Sequence, residues 1–155
     1  MLTQERVREL FYYEPDTGWL IRKNDLLQER FGHSRKDGRR GLKIDGRYYL
    51  EHRIIWLWMT GYMPPEIDHK NLDRGDNRWD NLRECSRSQN NANRRVQPNN
   101  KMNMRGIHQI SNGRFRVRIQ CNGKRVADKV FEHKSDAIVF HAKAIKKAFG
   151  EFARV

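Results

Sequence analysis

The chain has 155 residues, enough for one ordinary domain or two small ones, and it carries 32 Lys and Arg against 19 Asp and Glu, a formal net charge of +13 at pH 7. An excess of this size is typical of proteins with a polyanionic partner. No stretch approaches the roughly 18 apolar residues of a membrane span, and we therefore expect no membrane partner.

The cellular location is inferred from the cysteines and from the first residues. The two cysteines, Cys85 and Cys121, form no C-x-x-C pair and no disulfide framework, which fits a reducing cytoplasm and argues against a structural zinc. Residues 1–8 already contain Glu5, Arg6 and Arg8, a composition unlike that of a signal peptide. We expect a cytoplasmic protein.

The positive charge is concentrated in the C-terminal half. Residues 1–84 contain 16 Lys and Arg against 15 Asp and Glu, whereas residues 85–155 contain 16 against 4. Basic side chains that contact phosphates release counterions, so that binding weakens steeply with salt. The C-terminal half is therefore the predicted polyanion-binding part.

The first predicted elements are a short helix, a turn and a strand, at residues 2–11, 14–18 and 19–22. We expect Tyr13 and Trp19 to pack in the core. A polar, basic stretch at residues 24–41 predicts a loop, and it either lies along a DNA backbone or is only a solvated surface. Its cationic side chains include Arg30, Arg35, Lys36, Arg39 and Arg40.

A hairpin and a helix follow. Residues 42–50 predict two strands joined by the turn dipeptide Asp45-Gly46. Residues 52–60 predict a helix that ends at Gly61, with prolines beyond it. We expect this helix to pack behind the next strand, with His52 as a structural histidine that does not bind metal.

The central stretch, residues 67–93, predicts strand, loop, strand and helix. The strands are expected at residues 67–69 and 81–85 with a polar loop at 70–76, and the S-x-x-Q form of Ser86 to Gln89 predicts the start of the helix. This layout groups three polar elements: the Asp68-His69 pair, Asn81 and Asn90. Two oxygen ligands and an imidazole around one point are what metal-assisted phosphodiester hydrolysis requires.

The order and spacing of these residues resemble the HNH (ββα-metal) endonucleases, and more closely their phage and intron-encoded homing-type branch. That pattern has a D-H pair, a central Asn within N-R-x-x-N-L-R (here residues 77–83) and a helical Asn or His. The last position is Asn90, an oxygen ligand, which favours Mg²⁺ or Mn²⁺ over zinc or nickel.

The resemblance implies a role for each residue. His69 would be the general base, and Asp68 and Asn90 would be the protein ligands of a single metal ion. Asn81 would brace the loop and orient His69 through its backbone without touching the metal. Two basic residues of this part, Arg78 and Arg94, are candidate DNA contacts. Taken singly, such residues are more often solvated surface groups, and the joint pattern is what makes the interpretation specific.

A second domain is predicted after the helix. Residues 96–104 are polar and without periodicity, and they predict a linker between a nuclease domain at 1–95, with its ββα-metal core at about 67–95, and a DNA-binding domain at 105–155. Two Asn-Gly turns predict a three-stranded meander, and a helix capped by Ser135 is expected to run to about Phe149. The predicted strands are residues 105–110, 114–120 and 124–127.

Alternation along the second strand assigns its two faces. Apolar residues at Phe115, Val117 and Ile119 are expected to face the helix, which leaves a row of three arginines and Gln120 on the other face. We expect an anion to bind this row, the alternative being a solvated face without a partner.

This region resembles the ERF-type DNA-binding domain. The matching stretches are residues 105–107, 113–115, 123–125 and 135–137. In that family the sheet enters the major groove, which implies six DNA contacts here: Arg105, Arg114, Arg116, Arg118, Lys124 and Arg125. Phe115 replaces the usual Trp, and residues 127–129 replace the usual Leu-Gly pair, so that the family's base preference does not transfer.

The sequence therefore predicts an α+β protein, in which a small ββα-metal nuclease domain is followed by a three-stranded antiparallel sheet packed on one helix. The expected function is a divalent-metal-dependent, homing-type endonuclease that cuts double-stranded DNA with one ion per active site. A monomer would nick and a homodimer could cut both strands, and we expect a phage-encoded protein acting in the host cytoplasm. The alternatives are a DNA-binding regulator with an inactive nuclease fold and, less favoured for want of exposed aromatic residues on the predicted strands, an RNA-binding protein.

Overall fold

The structure, a computed structural model, describes residues 2–27 and 29–154. Within these residues it contains four α-helices and four small antiparallel sheets, which confirms the predicted α+β class. The chain divides into two compact units, Met1–Cys85 and Ser86–Val155. The predicted linker at residues 96–104 has no helix or strand and belongs to the second unit, and the division into a nuclease and a DNA-binding domain stays a prediction.

The first unit begins with a helix and a β-hairpin, α1 (Gln4–Leu10), β1 (Phe11–Glu14) and β2 (Trp19–Arg22). Tyr13 is buried as predicted, but Trp19 is 43% exposed and that prediction was wrong. The reason is register: Trp19 pairs with Glu14, one position along from Tyr13, and successive strand residues point to opposite faces. Tyr12 and Trp19 are thus exposed aromatic residues on the strands of this hairpin.

A three-stranded sheet and a helix follow: β3 (His33–Ser34), β4 (Arg40–Ile44), β5 (Arg47–Leu50) and α2 (Glu51–Thr60). The β4–β5 turn is the predicted one, because Asp45 and Gly46 both have positive φ, at 48° and 77°. Gly61 ends α2 with φ 80°, also as predicted. The predicted loop at 24–41, of which Gln28 lies outside the described residues, contains β3 and the start of β4, because that short strand pairs along the edge of β4.

The core of the first unit lies between α1, the hairpin, β4 and α2. Its fully buried members are aliphatic and aromatic side chains, including Val7, Phe11, Leu20, Leu42, Ile54 and Ile55. Burying each such side chain contributes roughly 1.5–3 kcal/mol. This core supports the strand pair β6 (Glu66–His69) and β7 (Leu82–Cys85).

The second strand of that pair starts one residue later than predicted. Asn81 closes a one-turn 3₁₀ helix, Trp79–Asn81, in which its N–H donates to the carbonyl of Arg78 at 3.0 Å. Asp68 then pairs with Arg83 across the two strands, and His69 pairs with Leu82.

The second unit consists of a short helix, a three-stranded sheet and a long helix. Its elements are α3 (Arg87–Asn93), β8 (Ile107–Gln109), β9 (Phe115–Cys121), β10 (Lys124–Phe131) and α4 (Lys134–Phe149), with a one-turn 3₁₀ helix at Gly150–Phe152. The sheet order is β10-β9-β8. Ser86 makes both hydrogen bonds of the predicted capping box with Gln89.

The meander is confirmed, with differences at its ends. Val117 and Ile119 are buried as predicted. β10 continues to Phe131 beyond a register shift between Arg125 and Ala127, which interrupted the alternation expected from the sequence. The predicted cap of α4 was wrong, because Ser135 lies inside the first turn and His133 occupies the N-cap position. Among the described residues no helix combines the length and apolar character that crossing a membrane requires.

Candidate active site and nucleic-acid interface

The candidate general base lies at the end of β6. Asp68 and His69 are its last two residues, and both side chains are buried, at 5% and 6% exposure. The Nε2 atom of His69 is 3.0 Å from the Oδ1 atom of Asn77, a residue that the sequence interpretation had not assigned to the site.

Asn77 is held in one orientation by the first unit. Its side-chain amide donates from Nδ2 to Glu51 Oε2 at 2.9 Å, and its backbone carbonyl accepts from the hydroxyl of Tyr13 at 2.8 Å. Gly18 has φ +73°, and a Cβ there would lie 2.4 Å from the carbonyl carbon of Asn77. The β1–β2 hairpin therefore packs directly against this residue and permits no side chain at that point.

This arrangement selects the tautomer of His69. A carboxylate only accepts hydrogen bonds, so that the NH₂ group of Asn77 must face Glu51 and its oxygen must face His69. The Nε2 atom of His69 then carries the proton, and Nδ1 carries the lone pair. Burial lowers the pKa of His69, although the Asn77 hydrogen bond and the charge of Asp68 act in the other direction. A neutral imidazole near pH 7 is the form that a general base requires.

Glu51 is the centre of a buried ion cluster, which corrects part of the loop interpretation. Its fully buried carboxylate accepts from Arg30 at 3.2 and 3.0 Å and forms an ion pair with Arg40 Nε at 3.0 Å. These two arginines were expected on a DNA backbone or on a solvated surface. They instead neutralise the carboxylate of Glu51. This carboxylate needs cationic partners because the packing of α2 against the preceding loop buries it.

Asn81 connects the two ends of the loop between β6 and β7. Its Oδ1 accepts from the backbone N–H of Asn71 at 3.0 Å, and its Nδ2 donates to the carbonyl of Asp76 at 2.8 Å. Its own carbonyl accepts from the N–H of Lys70, the residue after His69, at 2.9 Å. These contacts are those of a loop brace, and a catalytic role for Asn81 stays a prediction.

Asp68, the expected metal ligand, has a cationic partner that the sequence did not reveal. Arg83 donates to its Oδ2 atom from Nε at 3.0 Å and from Nη2 at 2.8 Å. The signal in the sequence is the strand pairing itself, because antiparallel register places residue 83 directly opposite residue 68. Any cation at Asp68 would share the carboxylate with this guanidinium.

Arg78, a predicted DNA contact, is also paired. Its Nε and Nη2 atoms donate to the carboxylate of Asp76 at 2.9 and 2.7 Å, and this hydrogen bonding is the main reason that the pKa of Asp76 is lowered to about 2. The guanidinium remains at the surface but is partly neutralised.

His52 lies beside the candidate base. It is buried, its ring stands edge-on to that of His69 with centroids 5.1 Å apart, and burial lowers its pKa to about 3. In the part of the chain that the structure describes, its Nδ1 atom has no hydrogen-bond partner. The residue is buried as a structural histidine is expected to be, but its hydrogen bonding is incomplete.

The second expected metal ligand, Asn90, lies on α3 in the second unit, and its backbone N–H donates to Ser86 at 2.9 Å. Whether Asp68 and Asn90 bind one ion stays a prediction. Across residues 2–27 and 29–154 no group of three His, Cys, Asp or Glu side chains could hold a metal. A carboxylate and an amide oxygen completed by water suit a hard cation such as Mg²⁺, and they do not suit zinc.

The arginine row of the predicted DNA-binding face has an internal counterion. Asp128 pairs with Arg116 at 2.7 Å, with Arg118 at 3.4 Å and with Arg125 at 3.2 Å. The pKa of Asp128 is lowered to about 2, mainly by the hydrogen bond from Arg116. These charges are therefore partly offset within the chain, and the binding of an external anion to the row stays a prediction. The register shift in β10 had hidden the position of Asp128.

The remaining predicted contacts lie in different places. Arg114 is 3.8 Å from Glu132, and Lys124 is exposed at the start of β10. Arg105, which precedes β8, donates to the carbonyl of Asn91 on α3, and desolvation followed by the charge of Arg94 lowers the pKa of its guanidinium. The structure thus groups three of the six ERF-type candidates around Asp128.

Comparison with known proteins gives one result. Residues 49–92 match a family model described as HNH endonuclease, a range that contains Glu51, Asp68, His69, Asn77 and Asn90. No curated protein and no solved structure matches the chain. The predicted HNH resemblance is confirmed for this range, whereas the ERF-type and homing-type resemblances stay predictions.

Proposed function

We propose that this chain, which contains an HNH endonuclease domain at residues 49–92, is a divalent-metal-dependent DNA endonuclease that nicks double-stranded DNA. The observation that carries the proposal is the hydrogen bond between His69 Nε2 and Asn77 Oδ1, at 3.0 Å. It leaves Nδ1 as the basic nitrogen of a buried imidazole, next in the chain to a carboxylate.

In the proposed reaction His69 removes a proton from the attacking water at Nδ1. Its burial keeps the ring neutral beforehand, since desolvation lowers its pKa. When Nδ1 takes the proton, the ring becomes a cation whose Nε2–H still donates to Asn77. The carboxylate of Glu51, one amide away, holds Asn77 in that orientation.

Asp68 and Asn90 would hold the metal, Mg²⁺ or Mn²⁺, with one ion per active site. When bound, such an ion holds the scissile phosphate and stabilises the leaving oxygen. The donor chemistry fits, because both residues offer oxygen. Arg83 keeps Oδ2 of Asp68 in one place, which restricts how the carboxylate can turn toward a cation.

DNA placement is assigned to the basic residues, chiefly Arg114, Arg116, Arg118, Lys124 and Arg125 of the second unit, with Arg78, Arg94 and Arg105 as further phosphate contacts. The charge of residues 85–155 supports this assignment. By resemblance the products carry 5′-phosphate and 3′-hydroxyl ends, a monomer nicks and a homodimer cuts both strands. A homing-type, phage-encoded origin belongs to the same proposal.

The test is a nicking assay. Supercoiled plasmid is incubated with the protein in Mg²⁺ or in chelator, alongside His69→Ala and the control His33→Ala, which changes an exposed histidine of the same unit. Metal-dependent nicking that is lost only in His69→Ala supports the endonuclease. A gel shift of the plasmid without nicking in any metal would instead support a DNA-binding regulator with an inactive nuclease fold.

A further inference from the structure

A cleft of about 890 Å³ lies within the second unit. It is bordered by α3, by residues 103–106, by the edge of β9 beyond its pairing with β8, and by the C-terminal half of α4. It is separate from the arginine cluster around Asp128, apart from Arg118, which borders both.

The rim of the cleft is cationic. None of the residues that line the cleft is Asp or Glu. Five of them are arginines: Arg87, Arg94, Arg105, Arg118 and Arg154. Within the described residues, Arg87, Arg94 and Arg154 form no ion pair, in contrast to the arginines of the first unit that surround Glu51. The pKa of Arg105 is lowered first by desolvation and then by the charge of Arg94, and the second cause reflects the repulsion between neighbouring guanidinium groups. Cations gathered in a concave site attract an anion.

A buried histidine at the cleft lacks partners. His141, on α4, is 2% exposed, and neither ring nitrogen has a hydrogen-bond partner within the described residues. Burial lowers the pKa of His141, and the nearby carbonyl of Arg105, to which the ring makes no well-formed hydrogen bond, acts in the opposite direction. Buried polar atoms are nearly always paired, and a ring with two unpaired nitrogens at a cleft indicates a polar ligand.

The floor of the cleft is apolar. Ile119 of β9 and Ile145 and Phe149 of α4 are buried there. Gly106 has φ +83°, and a Cβ at this position would lie 2.9 Å from the carbonyl oxygen of Arg118. The absence of a side chain therefore lets the backbone at residue 106 pack closely against β9. A cationic rim over an apolar floor matches a nucleotide, whose phosphate binds guanidinium groups while its base and sugar contact carbon.

We propose that this cleft binds a single DNA strand, with phosphates on the arginine rim and one nucleoside over the apolar floor beside His141. The proposal depends on the proposed function only in naming DNA as the nucleic acid. It assigns to the second unit a strand-binding site that shares only Arg118 with the arginine cluster on the sheet face that would contact duplex DNA. Because α3 also carries Asn90, a strand in the cleft would lie along the helix that contributes to the proposed metal site.

The experiment measures binding without cleavage. Fluorescein-labelled oligothymidylate is titrated with the full chain in chelator, and anisotropy is recorded at several salt concentrations. The variants are Arg87→Ala, Arg154→Ala and the double variant. The control is Lys143→Ala, which, like each single variant, removes one positive charge, here from an exposed position of α4. The expected result is a several-fold weaker affinity in the double variant, with the slope of log K against log salt reduced by about 0.7 for each phosphate that the variant no longer neutralises.

Two results would overturn the proposal. One is an unchanged affinity and salt slope in the double variant, and the other is displacement of the oligonucleotide by inorganic phosphate as effectively as by unlabelled oligothymidylate. The outcome is independent of the plasmid assay, since nicking can fail while strand binding is retained. Conversely, if the cleft variants bind the oligonucleotide normally while the wild-type protein nicks plasmid, the strand-binding proposal fails and the proposed endonuclease function stands.

Discussion

The Oδ1 atom of Asn77 lies 3.0 Å from the Nε2 atom of His69, and the opposite side of the same amide donates to Glu51 at 2.9 Å. A short hydrogen-bonded series therefore runs from a buried carboxylate to the imidazole. It determines which ring nitrogen can accept a proton, because an amide offers a donor on one side and an acceptor on the other.

Replacing Asn77 by Ala is expected to reduce nicking by about 100-fold or more, since the ring loses the partner that selects its tautomer. The matched control is Tyr13→Phe, which removes the hydroxyl bonded to the carbonyl of Asn77 but leaves its side chain in place. Single-turnover plasmid nicking by folded protein measures both. Equal loss of activity in the two variants would mean that Asn77 acts only through stability.

The proposed metal-binding role of Asn90 is tested by substitution. Asn90→Ala is expected to raise the Mg²⁺ concentration for half-maximal nicking, and Asn90→Asp to lower it, because a carboxylate binds a hard cation more strongly than an amide does. Isothermal titration with Mn²⁺ checks affinity independently of activity. Asn99→Ala, the same change at an exposed position, serves as the control. Identical metal affinity in all three variants would exclude Asn90 as a ligand.

Glu51 is expected to be essential for folding of the first unit. Glu51→Gln would lower the free energy of unfolding by about 3–5 kcal/mol, because Arg30 and Arg40 would keep buried charge without a counterion. Asp45→Asn breaks the exposed pair with Arg6 and should change the free energy of unfolding far less, because solvent screens an exposed ion pair. Urea unfolding followed by tryptophan fluorescence compares them. Similar midpoints for the two variants would contradict this account.

Asp128 is expected to limit the affinity for duplex DNA. Asp128→Asn releases Arg116, Arg118 and Arg125 from an internal carboxylate, so that binding should tighten and the salt slope should steepen by about 0.9 for each additional phosphate that is neutralised. Glu132→Gln removes one negative charge outside the cluster and should have a smaller effect. Anisotropy with a labelled duplex in chelator is the measurement. Weaker binding by Asp128→Asn would show that the carboxylate organises the arginines for phosphate.

Acid is expected to destabilise the fold through buried histidines. The pKa of His52 is lowered to about 3, so that the unfolded chain takes up a proton near pH 6.5 while the folded chain does not. The free energy of unfolding is therefore unaffected by this histidine above pH 6.5, and it decreases by about 1.4 kcal/mol per pH unit as the pH falls from 6.5 toward 3. Lowered pKa values of His69 and His141 act in the same direction.

Replacement of His52 measures its contribution to the pH dependence of the unfolding free energy. His52→Leu should reduce the slope of unfolding free energy against pH between 6 and 4 by about 1.4 kcal/mol per unit. His108→Leu changes an exposed histidine and should leave the slope as it is. Urea titrations at several pH values provide the slopes. An unchanged slope in His52→Leu would mean that the ring is solvated before unfolding.

Much of the fold could be predicted because its signals are local. The Asp45-Gly46 turn, the end of α2 at Gly61 and the capping box at Ser86 each depend on a few neighbouring residues, and each is found where the pattern indicates. The exposure of Trp19 and the length of β10 were missed. Both depend on register between strands, which composition and spacing do not specify.

The amino-acid order alone identifies the HNH motif, the excess of positive charge after residue 84 and most helices and strands, because periodicity, turns and caps act over a few residues. Packing alone decides which charges neutralise each other. Glu51 meets Asn77 from 26 positions away, and Asp128 meets Arg116 from 12. Such partners are selected by the cost of burying or crowding charge, a quantity that exists only once the chain has folded.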